Sequence, residues 1–158
     1  VFTATFTRPS NTTTYTIGDV VGPNPAAVLT LAPTQGDDVI AGQSYLIKSI
    51  RLVTDNTTVT LGTFKVYFYN SAPTAIADNA AFTILWADNS KKAGYSLLGI
   101  VAIEGSGGDS AESFNTDVNI PVRTQETNIL AVLVAEGAYV PAANQRFYIE
   151  VIAHQIDR

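Results

Sequence analysis

The chain contains no cysteine and no methionine, and only one histidine and one tryptophan in 158 residues. Without cysteine there is no disulfide, no thiolate metal site and no cysteine nucleophile. Charge is also scarce: Asp, Glu, Lys and Arg make up 15% of the residues, against about 25% in ordinary globular chains. Only 9 of these residues are Lys or Arg and 14 are acidic, so the formal net charge is −5 and the isoelectric point is about 4.6. Binding to nucleic acid by counterion release needs clustered cations, so this composition argues against a nucleic-acid partner. No apolar run reaches the roughly 18 residues that a membrane-spanning helix requires. The N-terminus, Val1-Phe2-Thr3-Ala4-Thr5, lacks the basic and then apolar layout of a signal peptide. These features predict no membrane partner and synthesis in the cytoplasm without a signal peptide. Val1 is small enough to follow a removed initiator Met, and on that reading the chain is complete. The length fits a single domain over 1–158, with a core large enough to need no staples.

What is present is period-2 patterning. In Thr63 to Tyr69, Phe64, Val66 and Phe68 face one way, and Lys65, Tyr67 and Tyr69 face the other. Near the end, Phe147, Ile149, Val151 and Ala153 alternate with Tyr148, Glu150, Ile152 and His154. In 117–123, Val118, Ile120 and Val122 point inward, and Pro121 marks an edge strand or a bulge because it cannot donate to a ladder. Ser44 to Val53, Leu97 to Ile103 and Asn128 to Ala135 are apolar enough to read as strands buried on both faces. Val1 to Thr7 and Tyr15 to Val21 are also β-rich. Roughly eight segments with regular turn signals predict an all-β fold, an antiparallel, jelly-roll-like β-sandwich with long loops. Three loops read as long: Gly22 to Gln43, Trp86 to Gly94 and Glu104 to Asn115. At most one short helical turn is expected, capped by Asp78 or Asn79 and leading into Phe82. Residues 1–14 read as an extended N-terminal arm.

Catalytic chemistry finds little to stand on. His154 is the only imidazole, and no Gly-x-Ser-x-Gly elbow accompanies it. A lone histidine on an alternating strand next to the C-terminus reads as a surface or interface residue, and histidine-based metal sites need more than one. Asp37, Asp38, Asp78, Asp88, Glu104, Asp109, Glu112 and Glu136 are the candidates for a hydrolytic carboxylate pair. Most lie in loops beside Gly, Asn or Ser, where carboxylates cap turns. Asp78-Asn79 with Asp88-Asn89, or Gly36-Asp37-Asp38, supply oxygen ligands for calcium, but no EF-hand pattern is present. The sequence therefore reads as non-enzymatic, with no cofactor. Tyr67, Tyr69, Trp86, Tyr95 and Tyr139 are flat rings with polar edges that suit a sugar platform or a protein interface. In so weakly charged a chain, interface is the preferred reading.

Residues Arg8, Tyr15 and Gly18-Asp19-Val20-Val21-Gly22 form a Tyr-x-x-Gly-Asp-Val-[Val/Ile]-Gly stretch. A strand at Ile47 to Val53 follows, then Phe64 to Tyr69, Pro73-Thr74, Asp78-Asn79-Ala80, Ala87-Asp88 and the turn Lys92-Ala93-Gly94. This order, over residues 8–104, resembles small structural proteins of tailed-phage virions of the decoration or cement type. The resemblance implies a β-sandwich, often a homotrimer, seated on the outer capsid surface with the major capsid protein as partner. It implies that the chain stabilises the shell and resides in the virion. A carbohydrate-binding adhesin or a tail or spike module is the alternative. On this reading Val1, Phe2, Phe6, Tyr67, Tyr69, Trp86 and Tyr139 are the candidate interface residues, and Val1 to Thr7 adds as an edge strand to a neighbouring sheet.

Overall fold

A computed structural model describes residues 1–24, 28–36, 38–55, 62–99, 102–103 and 109–156. Its strands are β1 (Phe2–Thr7), β2 (Val20–Val21), β3 (Leu29–Pro33), β4 (Ser44–Thr54), β5 (Phe64–Tyr69), β6 (Lys92–Leu98), β7 (Ala102–Ile103), β8 (Ala111–Asn115), β9 (Ile120–Arg123), β10 (Ile129–Ala135) and β11 (Arg146–Gln155). One helical turn, α1 (Trp86–Asn89), precedes β6. All pairings are antiparallel, in the order β6-β5-β10-β3-β1-β11-β4-β8-β7, with β2 beside β10 and β9 beside β4. The sheet curls until β6 meets β8 and β9, so it is nearly closed. Closure removes most free backbone edges, which an open sheet would leave exposed to pairing with other chains.

The sequence of β4 explains how one long strand serves two neighbours. Tyr45 and Ile47 point into the core, then Ile50, Leu52 and Thr54 do so, and the alternation changes phase at Lys48-Ser49. A bulge opposite Ile152 and Ala153 absorbs that change. Below the bulge β4 pairs with β9 and above it with β8. The superposition of the two phases makes β4 look buried on both faces in sequence, yet its outward residues are only half-buried. By contrast, β10 is buried along its whole length, as its unbroken apolar run requires. Its inward Ile129, Ala131, Leu133 and Ala135 join the main core. Its outward Leu130, Val132 and Val134 are covered by Val20, Tyr69, Ile76 and Phe82. The segment after β5 therefore acts as a strap across the outside of the sheet.

Several expectations change. Val1 to Thr7 is neither an arm nor an edge: β1 pairs with β11 along its full length and with β3 at Phe2 and Thr3. The helical turn is not at 78–82. Asn79 instead adopts a left-handed backbone in a tight turn, and the helix forms at α1. The expected loop from Gly22 to Gln43 contains β3, and the expected loop from Trp86 to Gly94 contains α1 and the start of β6. Leu97 to Ile103 is not one buried strand, because β6 ends at Leu98 and Leu97 is exposed. Pro121 does lie on an edge: among the described residues β9 pairs only with β4.

The seam between β6 and the β8–β9 pair is pinned by side chains. Asn115 Nδ2 donates to Ser96 Oγ at 2.9 Å and to the Leu97 carbonyl at 3.2 Å. The Arg123 amide donates to Asn70 Oδ1 at 2.8 Å. Gly94 lets β6 approach β9, since a Cβ there would lie 2.9 Å from Ile120 Cγ2.

Candidate interaction surface

On the outer face of the barrel, alternation places Lys65 and Tyr67 of β5, Tyr95 and Leu97 of β6, and Phe114 of β8. Tyr95, Leu97 and Phe114 are 54%, 55% and 54% exposed. Their strands meet at the seam, where Asn115 next to Phe114 donates to the Leu97 carbonyl. Cations interleave with the rings. Lys65 Nζ lies 5.2 Å from the Tyr95 ring centre and pairs with Glu136 at 2.8 Å. Arg51 sits 5.4 Å over the Phe114 ring while its Nη2 meets Glu112 at 2.6 Å. Further round, the Tyr148 hydroxyl donates to Glu150 at 2.9 Å. The result is an apolar band edged by paired charges, the layout of a protein contact with an apolar centre and a polar rim. The rings are not coplanar: Tyr67 tilts 43° against Tyr95 and 40° against Phe82. Such a surface suits irregular protein contours better than a flat pyranose face.

Of the interface residues expected from sequence, Phe2, Phe6, Tyr69 and Tyr139 are buried within the chain's own core. Phe2 packs edge-on against Tyr45, and Phe6 stacks on Phe147. Tyr139 stacks on Tyr15 at 5.7 Å and 7°. These four therefore have almost no surface for a partner: Phe2 and Phe6 because β1 lies inside the sheet, Tyr69 because the strap covers it, and Tyr139 because it packs between Tyr15 and Phe64. Tyr67 is half-buried beneath Phe82. Val1 is exposed at the start of β1 and Trp86 is 90% exposed on α1. Leu97, Phe114 and Arg51 were not singled out by sequence. The alternation Ala111-Glu112-Ser113-Phe114 was the available signal, and it lay within a stretch read as loop.

Four of the acidic candidates, Asp78, Asp88, Glu112 and Glu136, are engaged in hydrogen bonds or ion pairs. Asp78 accepts from the Tyr15 hydroxyl and, at 3.1 Å, from the Gly22 amide, and Arg8 Nη2 lies 3.4 Å away. Arg8 also donates through Nε to Tyr15 and through Nη1 to the Ala142 carbonyl at 3.1 Å. Burial, reinforced by the Asp78 carboxylate, pushes the Tyr15 phenol far above its ordinary range. This buried trio ties the chain after β1 to the strap. Asp88 accepts from Lys91 at 2.9 Å and from the Thr74 amide at 3.1 Å, and these bonds hold it below the usual carboxylate range. Burial and the nearby Asp88 charge push Tyr69 up to about 12. Glu112 and Glu136 pair with Arg51 and Lys65. Asp109 lines an open groove of about 260 Å³ with Asp55 and Arg146, which pair with each other at 2.6 Å. Asp37 and Glu104 lie outside the described residues. Among the described residues no group of three His, Asp or Glu side chains is placed to hold a metal ion. His154 is exposed on β11. No helix of the described residues is long and apolar enough to cross a membrane.

Searches against family models and curated proteins find no match to this chain.

Proposed function

We propose that this chain is a virion structural protein that binds the outer surface of a phage capsid and stabilises the shell, acting through the Tyr95–Leu97–Phe114 band. The band is the observation that carries the reading: three large apolar side chains, each more than half exposed, lie on rigid strands across a pinned seam. Exposure of this kind is unfavourable unless a partner covers it, and contiguous exposed apolar surface marks interaction sites. The ordered turn motifs from Arg8 to Gly94 supply the phage resemblance. A cement protein needs only to bind the assembled lattice more tightly than its parts, which raises shell stability by mass action. In this proposal the nearly closed sheet is a flattened, jelly-roll-like sandwich, the working unit is a homotrimer, and the major capsid protein is the partner.

Quantitative mass spectrometry of gradient-purified particles tests the assignment. A copy number comparable with that of the major capsid protein is expected, and a few copies or none would reject a decoration role. Replacing Tyr95, Leu97 and Phe114 together with Ser should abolish binding to purified shells while leaving the fold intact. Trp86, at 90% exposure, favours a second reading as a glycan-binding adhesin. Glycan-array binding that disappears in Trp86→Ala would bring that reading forward.

A further inference from the structure

Charge pairing across the molecule is uneven. Arg8, Arg51, Lys65, Lys91 and Arg146 each meet a carboxylate. Lys48 donates to the Asn119 side chain at 2.5 Å. Among the described residues, Lys92 and Arg123 have no acidic partner, and both line one cleft of about 290 Å³. The cleft lies at the end of the seam where β6 begins, opposite the Leu97 end of that strand. Its other walls include Asn70, Pro121, Val122 and Ile156.

The cleft is built, not merely charged. Arg123 Nε donates to the Gly42 carbonyl at 2.7 Å, and the Arg123 amide is held by Asn70. The guanidinium of the exposed Arg123 is thereby anchored through one nitrogen, and among the described residues its terminal Nη groups meet no acceptor. Lys92 is half-buried at the start of β6 and lines the same cleft. A fork of guanidinium donors beside a point cation matches the two oxygens of a carboxylate. Ile156, which is 50% exposed, and the buried Val122 add an apolar wall. Cations next to an apolar wall fit an acidic side chain carried on a peptide better than a free ion. A nucleic-acid backbone is a poor fit, since it needs a row of cations and this chain carries a net −5.

We propose that the Lys92–Arg123 cleft is a carboxylate-binding site that receives an Asp or Glu side chain of an acidic, partly apolar segment of a partner protein. This does not rest on the capsid reading, because the recognition chemistry is the same whatever carries the segment.

The test is an NMR titration of the isotopically labelled chain with a blocked tetrapeptide of alternating Asp and Ile, in low salt. Saturable shifts are expected at the Ser44, Asn70, Lys92 and Arg123 amides. Affinity should fall about tenfold or more in Lys92→Gln/Arg123→Gln, and should weaken on raising the salt well above physiological strength. A blocked Lys-Ile peptide should give no saturable response. Shifts scattered over the surface, binding that survives in the double variant or in high salt, or an equal response to the Lys-Ile peptide would overturn the proposal. Inorganic phosphate binding as tightly as the acidic peptide would overturn the assignment to carboxylate.

Discussion

Replacing Gly94 with Ala tests whether the sheet is closed as described. The added Cβ would lie 2.9 Å from Ile120 Cγ2 and 3.4 Å from its Cγ1. Carbon atoms in contact prefer about 3.5–4.0 Å, so the first approach is short by roughly 0.6 Å or more. Ile120 is β-branched and stiff at χ1, and its Cγ2 cannot swing away as the end of a long chain would. Overpacking of this kind costs about 1–3 kcal/mol. Stiffening the unfolded chain by Gly→Ala returns about 0.4–1 kcal/mol. A net loss of about 1–2 kcal/mol is therefore expected, read as a lower urea midpoint at unchanged slope. The cycle with Ile120 decides the cause. Ile120→Ala removes the clashing methyl, so the double variant should recover about 1 kcal/mol relative to additivity. Ile120→Val keeps a methyl at that branch and should not rescue. Additive losses with Ile120→Ala, or equal rescue by both variants, would refute the close approach of β6 to β9.

The buried Arg8–Asp78 pair predicts that Arg8→Met, which strands the Asp78 carboxylate, lowers unfolding stability by about 3–5 kcal/mol in denaturant titration. Arg8→Met/Asp78→Leu should be less damaging than Arg8→Met alone. Tyr69 is raised to about 12 by burial, so its neutral form contributes stability fully below the ordinary tyrosine value near 10 and loses it as pH rises towards 12. Phenolate absorbance should therefore rise together with unfolding for Tyr69, and Tyr69→Phe should extend the alkaline limit. Asp88 is held low by Lys91 and the Thr74 amide, so its contribution is present above the ordinary carboxylate value near 4 and disappears as pH falls through its folded value. Asp88→Asn should flatten the acid limb of the stability–pH curve, and an unchanged limb would remove Asp88 from that role.

Local pattern was legible where one period ran unbroken. In β11, Phe147, Ile149 and Val151 face the core as their alternation requires, and β10 is buried on both faces as its apolar run requires. Pro121 marked an edge because a missing N–H is a local fact. Reading failed where two patterns overlapped or one was short. The phase change at Lys48-Ser49 hid the half-exposure of β4, and β3 was lost among Pro, Gly and Asp. The aromatic candidates divided for a reason that lies outside any local window. Tyr69 and Tyr67 share a strand face, but the strap covers Tyr69 completely and Tyr67 in part.

By itself, the sequence determined the β class, the faces of the regular strands and the absence of thiol chemistry, because alternation and residue type are properties of neighbours along the chain. It did not determine that β1 lies inside the sheet, that the strands of Phe114 and Leu97 meet at a seam, or that Lys92 and Arg123 line one cleft. Those placements depend on closure of the sheet, which brings β6 from one end of the strand order against β8 and β9 near the other. Closure is decided by long-range packing: a phase-shifting bulge in β4, the space left by Gly94 and the bonds of Asn70 and Asn115. The buried and the available aromatics are distinguished only once that packing exists, since burial depends on what folds over a residue as well as on the residue.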